Sequence, residues 1–365
     1  MIKTTDELFD IHIKINEPDK EIMALTKKRW DSLSKPIDGF GDFEDVLCRI
    51  AGIKGTDMPD IEKKALMVFC ADNGIIERGV SQTDFSVTAQ VAAKLGQKVS
   101  TVNYLAKSAG VDVYPVDVGM ATDEEIFGVA NKKSAHGTGD FLTGPAMTEK
   151  QALNAIKAGM ETVKELSEKG YEMLLMGEMG IGNTTTSTAV LCALTGYDPA
   201  EFTGRGAGLS DEGLNVKINV IKKGLAKYLD HINTETDIKR RAFEILRCLG
   251  GFDIAAMAGA FIEAANIRIP VITDGLVCTV AALVAECIAP GTKEYILASH
   301  RGREKGNESA LKALNLKPLI DGNMALGEGT GAVMASALID MINDYYKNGK
   351  TFAESDIEAY ERFKK

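Results

Sequence analysis

Two glycine-rich stretches hold the residues whose types and spacing could carry chemistry. In Leu326-Gly327-Glu328-Gly329-Thr330-Gly331 a single carboxylate sits between glycines, just ahead of an apolar run over 332–346 that predicts a helix. Glycines remove side chains and free the backbone, so a ligand can approach Glu328 closely. At a helix entrance the unpaired N–H groups and the dipole favour an anion and are expected to keep Glu328 ionised. An ionised, uncovered carboxylate can serve as a base, although an ordinary Gly-rich helix start carrying a Glu reads the same way. The second stretch is Gly177-Glu178-Met179-Gly180-Ile181-Gly182-Asn183-Thr184-Thr185-Thr186, placed after an apolar strand and opening a helix. Backbone N–H groups of such a turn make an anion cradle, and Thr hydroxyls add donors. The spacing Gly177-x4-Gly182-Asn183-Thr184 copies a triphosphate-binding loop except that Asn183 stands where its Lys would be. That disfavours an NTPase and leaves a monophosphate, which needs only the cradle. A Gly-rich turn with Thr capping is the plain alternative.

Other candidates are weaker. Gly204-Arg205-Gly206-Ala207-Gly208 has the wrong spacing for a dinucleotide fingerprint and no apolar strand before it, so it reads as a loop ahead of a helix capped by Ser210. Lys217, in that helix, can reach a phosphate, though a lone Lys is usually solvated. His12, His136, His231 and His300 show no paired spacing and no G-x-S-x-G elbow is present, so neither a metal nor a cofactor is called for. By elimination the chemistry falls to carboxylates and main-chain donors. With 42 Lys and Arg against 52 Asp and Glu, the net charge of -10 speaks against an extended nucleic-acid surface. The acidic first thirty residues do not resemble a signal peptide, and no run of about eighteen uncharged apolar residues predicts a membrane span. A cytoplasmic protein is the expectation. Cys48, Cys70, Cys192, Cys248, Cys278 and Cys287 have no C-x-x-C spacing and read as reduced core residues.

The elements that must position these residues follow from periodicity. Residues 18–33 and the i, i+3, i+4, i+7 pattern of Phe43, Val46, Leu47 and Ile50 predict two N-terminal helices. Residues 65–71 are continuously apolar, as suits a strand covered on both faces, and end at Asp72-Asn73-Gly74. The format recurs at 111–118, 173–176, 269–273 and 295–298, which end near Asp117, Glu178, Asp274 and Ser299-His300. Helical stretches over 87–108, 149–167, 211–229 and 276–287 lie between them. The alternation predicts an α/β fold, a Rossmann-like, mostly parallel sheet flanked by helices, with ligands beyond the carboxyl ends of the strands. Asp274 and Ser299 are therefore further candidate substrate contacts. Residues 59–335 are expected to form the large catalytic domain. The helical segments 1–58 and 336–365 have no strands and are expected to pair as a smaller domain.

Taken together, these motifs resemble the two signature segments of the nicotinate-nucleotide:dimethylbenzimidazole phosphoribosyltransferases, which prepare the lower ligand of cobamides. Gly79-Val80-Ser81, Val87-Thr88-x-Gln90, Gly144-Pro145-Ala146-Met147-Thr148 and Gly206-Ala207-Gly208-Leu209 followed by Lys217 match in order, and the similarity runs from about 20 to 347. Two departures are Asn73, where the family commonly has His, and His136, where it often has Arg. The resemblance implies transfer of ribose 5-phosphate from nicotinate mononucleotide to a benzimidazole-type base, with inversion at C1′. It implies Glu328 as the base and Glu178 as a positioning carboxylate. Ser81, Gln90 and Leu326 would lie beside the aromatic acceptor, and Gly180, Gly182, Asn183, Thr184 and Lys217 on the phosphate side. It also implies a Rossmann-like sheet with a small helical domain, and a homodimer. A related enzyme acting on a phenolic acceptor within a hetero-oligomer, or an idle mononucleotide-binding subunit, stays open.

Overall fold

The computed structural model describes residues 15–362. In chain order the helices and strands that frame the site begin with α1 (Lys20–Ser32), α2 (Asp42–Lys54), β1 (Lys64–Ala71), α3 (Ser86–Gly96), α4 (Thr101–Ser108), β2 (Val111–Gly119) and β3 (Ala130–Asn131). They continue with α5 (Glu149–Glu168), β4 (Met173–Met179), α6 (Asn183–Thr195), α7 (Pro199–Phe202), α8 (Asp211–Ile232), α9 (Ile238–Leu249) and α10 (Phe252–Asn266). The last third holds β5 (Val271–Thr273), α11 (Leu276–Ile288), β6 (Ile296–Ala298), β7 (His300–Gly302), α12 (Lys305–Leu314), β8 (Ile320–Met324) and α13 (Thr330–Asn348).

Six strands form one parallel sheet in the order β3-β2-β1-β4-β5-β6, and β7 and β8 pair in parallel beside it. The order reverses between β1 and β4, so the crevice beyond their carboxyl ends is the topological switch point where doubly wound sheets take ligands. Every residue of β1 is buried, as the unbroken apolar run predicts. Ala65, Met67, Phe69 and Ala71 face one core with α5, α10 and α11, while Leu66, Val68 and Cys70 face the other. That second core also takes Trp30 and Leu33, Leu47 and Ile50 of α2, and Ala332, Val333 and Tyr346 of α13. Trp30 is fully buried, its ring 4.9 Å from that of Tyr346. Arg29 donates to the Tyr346 carbonyl at 3.1 Å, which ties the first helix to the end of the last.

The helix expected over 87–108 is two helices. Lys98 takes a left-handed φ of 62°, and Ser100 and Asn103 close a capping box that starts α4. The break follows from Gly96, where a Cβ would stand 2.0 Å from the Phe127 carbonyl oxygen. Between α5 and α10 the backbones touch through glycines: a Cβ on Gly159 would stand 1.8 Å from the Ala256 oxygen, and one on Gly259 2.0 Å from the Ile156 oxygen. This contact fixes the position of α10 and of its first turn, Phe252-Asp253. All six cysteines are free and five are buried. No helix among the described residues is long and apolar enough to cross a membrane.

Candidate active site

The two glycine motifs meet at the switch point. A Cβ on Gly177 would lie 2.8 Å from the Glu328 carbonyl oxygen, so the end of β4 lies directly against the loop before α13. Gly327, Glu328 and Gly329 adopt left-handed φ values of 89°, 57° and 84°. Glycine takes that conformation freely, but a glutamate at positive φ is strained by roughly 1–2 kcal/mol. This backbone conformation sets the Glu328 side chain in a half-buried position, where Oε2 is enclosed and has no hydrogen-bond partner among the described residues.

The N–H groups at the start of α13, expected above to hold Glu328 ionised, bond Asp274 instead. Gly329 N donates to its Oδ2 at 3.1 Å, and Gly331 N and Ala332 N to its Oδ1 at 2.9 and 3.2 Å. Asp274 is 2% exposed and anchors the turn that carries Glu328. Glu328 is left to burial, which raises its pKa. The Val102 N–H and the Ser100 hydroxyl at the entrance of α4, and then Lys94, act in the opposite direction. Ser299 lies behind this turn, fully buried, in a 2.9 Å hydrogen bond with His300 Nδ1, which is 3.8 Å from Asp274 Oδ1.

Glu178, at the end of β4, is pushed up to about 8, first by burial and then by the charge of Asp253. Asn183 opposes this by donating its amide to Glu178 Oε2. The turn between them needs its glycines: at Gly182, with φ 94°, a Cβ would meet Ile76 Cγ2 at 2.7 Å. Asn73 lies beneath that turn. It is fully buried, takes the Thr186 hydroxyl at 3.1 Å and donates to the Ile181 carbonyl at 3.5 Å. From α3, the buried Thr88 hydroxyl accepts Ile181 N at 3.2 Å.

Gly182, with no side chain, caps α6 with backbone alone. Beside it Lys217 is fully buried and not a solvated surface lysine, the plain alternative to a phosphate contact. Its Nζ donates to Thr184 Oγ1 at 2.7 Å, and burial lowers its pKa to about 8 despite the charge of Glu304. The loop before α8 closes on this pair without side chains: a Cβ on Gly206 would stand 3.0 Å from Thr184 Oγ1 and 3.5 Å from Lys217 Nζ. Gln82 donates to the Gly208 carbonyl at 2.6 Å and so joins the 79–85 loop to it. On that loop Ser81 takes Thr83 N at 3.2 Å, while Gln90 lies exposed on α3, one turn before Lys94. Leu326 is 55% exposed. His136 is solvent-facing, 3.3 Å from Asp123.

The geometry thus brings together Glu178, Gly180, Gly182, Asn183 and Glu328, with Thr184 following Asn183 and Lys217 bonded to it. Asp253, Ser100 and Glu304 belong to the same assembly and were not singled out from sequence, and Thr88 was read only as part of a motif. Each opens or precedes a helix, where Asp, Ser, Thr and Glu are unremarkable. Among the described residues, the acidic group compact enough to share a cation is Asp31, Asp38 and Glu44, and Lys27, Lys35 and Arg362 already pair with it. The cleft therefore offers two carboxylates held above their ordinary range, an open helix N-terminus, and a buried cation with no salt bridge among the described residues. It is suited to an anionic ligand whose reacting atom carries positive charge.

Such a cleft at the switch point of a parallel sheet suits a phosphorylated ligand, and comparison with known proteins gives the family. Residues 15–357 match the phosphoribosyltransferase family, to which the chain belongs. A relative from Acetivibrio thermocellus, named nicotinate-nucleotide--dimethylbenzimidazole phosphoribosyltransferase, is 40% identical over 97% of this chain and 99% of its own. One of the same name from Ruminiclostridium cellulolyticum is 41% identical over 95% and 96%. The crystal structure of CobT from Thermus thermophilus superposes with a TM-score of 0.86 at 34% identity, covering 93% of this chain and all of that one.

Proposed function

We propose that this protein transfers ribose 5-phosphate from nicotinate mononucleotide to 5,6-dimethylbenzimidazole or a related base. The products would be α-ribazole 5′-phosphate and nicotinate. One observation carries the reading: a strained glutamate whose buried oxygen has no partner among the described residues, Glu328, stands against the strand end that carries Glu178, and Asn183, which bonds Glu178, is followed by Thr184, which takes a buried lysine that has no salt bridge among the described residues.

The 5′-phosphate is assigned to Lys217, the Thr184 hydroxyl and the open start of α6. A buried ammonium is costly without an opposite charge, and a phosphate supplies it. This places C1′ toward Glu178. The C1′–N bond breaks with both electrons going to the pyridinium ring, which leaves as neutral nicotinate and needs no general acid. The acceptor attacks C1′ through one ring nitrogen, and the proton of its other nitrogen passes to Glu328 Oε2. The cationic pyridinium of the bound donor favours the ionised form of Glu178, whose carboxylate then stabilises the charge developing at C1′ in a low-dielectric cleft. Burial raises the pKa of Glu328, which makes its carboxylate a stronger proton acceptor than a solvated one.

Ser81, Gln90 and Leu326 are taken as the rim of the acceptor slot; the field of Lys94 at Glu328 supports this, because Lys94 follows Gln90 by one turn of α3. In this reading residues 59–335 form the catalytic body and the terminal helices its smaller companion, which the packing of Trp30 on Tyr346 supports. A homodimer in the cytoplasm completes the reading. For the dimer, the exposed Tyr104, Met334 and Met341 on the packed helices α4 and α13 are the support.

Glu328→Gln keeps the shape and removes the proton acceptor. Turnover is expected to fall by roughly 10²- to 10⁴-fold while mononucleotide binding, measured by calorimetry, survives. Near-normal turnover in this variant would remove Glu328 from its role.

A further inference from the structure

Asp253 is fully buried in the first turn of α10, where no lysine or arginine among the described residues forms an ion pair with it. Its Oδ1 accepts Ile254 N at 2.9 Å and its Oδ2 accepts Asn183 Nδ2 at 3.1 Å. The same amide nitrogen of Asn183 donates to Glu178 Oε2. An amide has two N–H donors, and here both go to carboxylates. The carboxyl is housed by bare backbone: a Cβ on Gly180 would stand 2.9 Å from its Oδ2, and one on Gly251 2.5 Å from its Oδ1. With Oε2 pinned, Glu178 is left with Oε1, which faces Gly327, where a Cβ would stand 3.0 Å away. Gly327 is the residue before Glu328.

A buried carboxylate set beside a second one is an expensive way to cap a helix. A neutral residue would bond Ile254 N without adding charge. The feature that needs an acceptor here is the Asn183 amide, which otherwise turns freely and can present its own oxygen to Glu178. We infer that Asp253 is a positioning residue for the transfer reaction: by fixing the Asn183 amide it holds Glu178 with Oε1 directed at the reacting carbon.

This inference rests on the reading of Glu178 as the carboxylate beside C1′, and the test separates the two. Steady-state kinetics with nicotinate mononucleotide and dimethylbenzimidazole are compared for wild type, Asp253→Ala, Asp253→Asn, Glu178→Gln and the double variant Asp253→Ala/Glu178→Gln. Asp253→Ala is expected to lower kcat roughly 10- to 100-fold with KM for the mononucleotide within about threefold, because a misdirected group loses transition-state contact more than ground-state binding. Asp253→Asn, whose carbonyl oxygen can still take the Asn183 N–H, is expected to recover most of that loss. In the Glu178→Gln background Asp253→Ala is expected to cost little more, since the two act as a unit. Unchanged kcat in Asp253→Ala, or a full additional loss in the double variant, would overturn the inference while leaving Glu178 in place. Wild-type turnover in Glu178→Gln would overturn the reading of Glu178 itself. Where Asp253→Ala does not fold, Asn183→Leu removes both bonds from the other side, and kcat retained there would overturn the inference equally.

Discussion

Burial brings Lys217 down to about 8, so in the free protein its ammonium loses its proton as pH rises through that value. A 5′-phosphate needs the charged form. Affinity for the mononucleotide is therefore expected to be full below about pH 7 and to weaken as pH rises past 8, with a nucleoside lacking the phosphate nearly unaffected. Lys217→Ala should cost about 1.5–3 kcal/mol of mononucleotide binding by calorimetry and flatten that profile. Equal losses for nucleotide and nucleoside would assign Lys217 to the fold. Glu178 moves the other way, to about 8 from an ordinary 4.5. Between those values the folded carboxyl keeps a proton that the unfolded chain has lost, so its contribution to stability falls as pH rises through the window. Glu178→Gln is accordingly expected to gain thermal stability relative to wild type on going from pH 5 to pH 8, measured as the difference in Tm; a constant difference would mean that Glu178 titrates normally. The glycines around Glu178 and Glu328 made these residues legible in the sequence, because side chains are stripped where a ligand or another backbone must come close. The burial of Lys217 and Asn73 was not legible. Both depend on which loops fold over them, and neither lies in an apolar run.

At the scale of elements, the first turn of α13 decides where Glu328 points. Asp274 bonds three of its N–H groups, and Gly331 leaves the room this requires: a Cβ there would stand 2.1 Å from His300 Nδ1 and 2.8 Å from Asp274 Oδ1. Gly331→Ala should displace that pair and cost about 1–3 kcal/mol of stability, with a drop in kcat, by denaturant titration and initial rates. Gly144→Ala, where nothing lies within 4 Å of the added Cβ, should stay within about 0.5 kcal/mol of wild type. If the two substitutions behave alike, the close approach at Gly331 is unimportant. The strands ending at Asp72, Asp117, Glu178 and Asp274 could be read from their apolar runs, as could α5 and α8 from their periodicity. Helix α10 has no polar side until its end, since fourteen of its fifteen residues are buried, and so shows no amphipathic period. Helix α9 carries a strong one, with Ala242, Phe243, Ile245, Leu246 and Leu249 buried, and the pattern was available in the sequence.

For the whole molecule, the sheet order is what assembles the site. Gly177 and Glu328 are far apart in sequence and touch because β4 borders the switch point and α13 packs across its end. Alternation of strands and helices implies a parallel sheet but not the neighbours of each strand, which the covering helices and the cores on the two faces select. The family match over residues 15–357 and the superposition on the Thermus thermophilus structure agree with the order observed. The proposed acceptor rim of Ser81, Gln90 and Leu326 carries no charge, and apolar contacts distinguish ring methyl groups by only about 1–3 kcal/mol, so several benzimidazoles should be used.

The most direct measurement is incubation of the purified protein with nicotinate mononucleotide and equimolar benzimidazole, dimethylbenzimidazole and phenol, followed by chromatography and determination of the configuration at C1′. The expected result is α-linked ribosyl phosphates of the azoles, formed in equal amount to released nicotinate, with little phenol product. Exclusive use of phenol, β-linked products, or no release of nicotinate with any acceptor would contradict it.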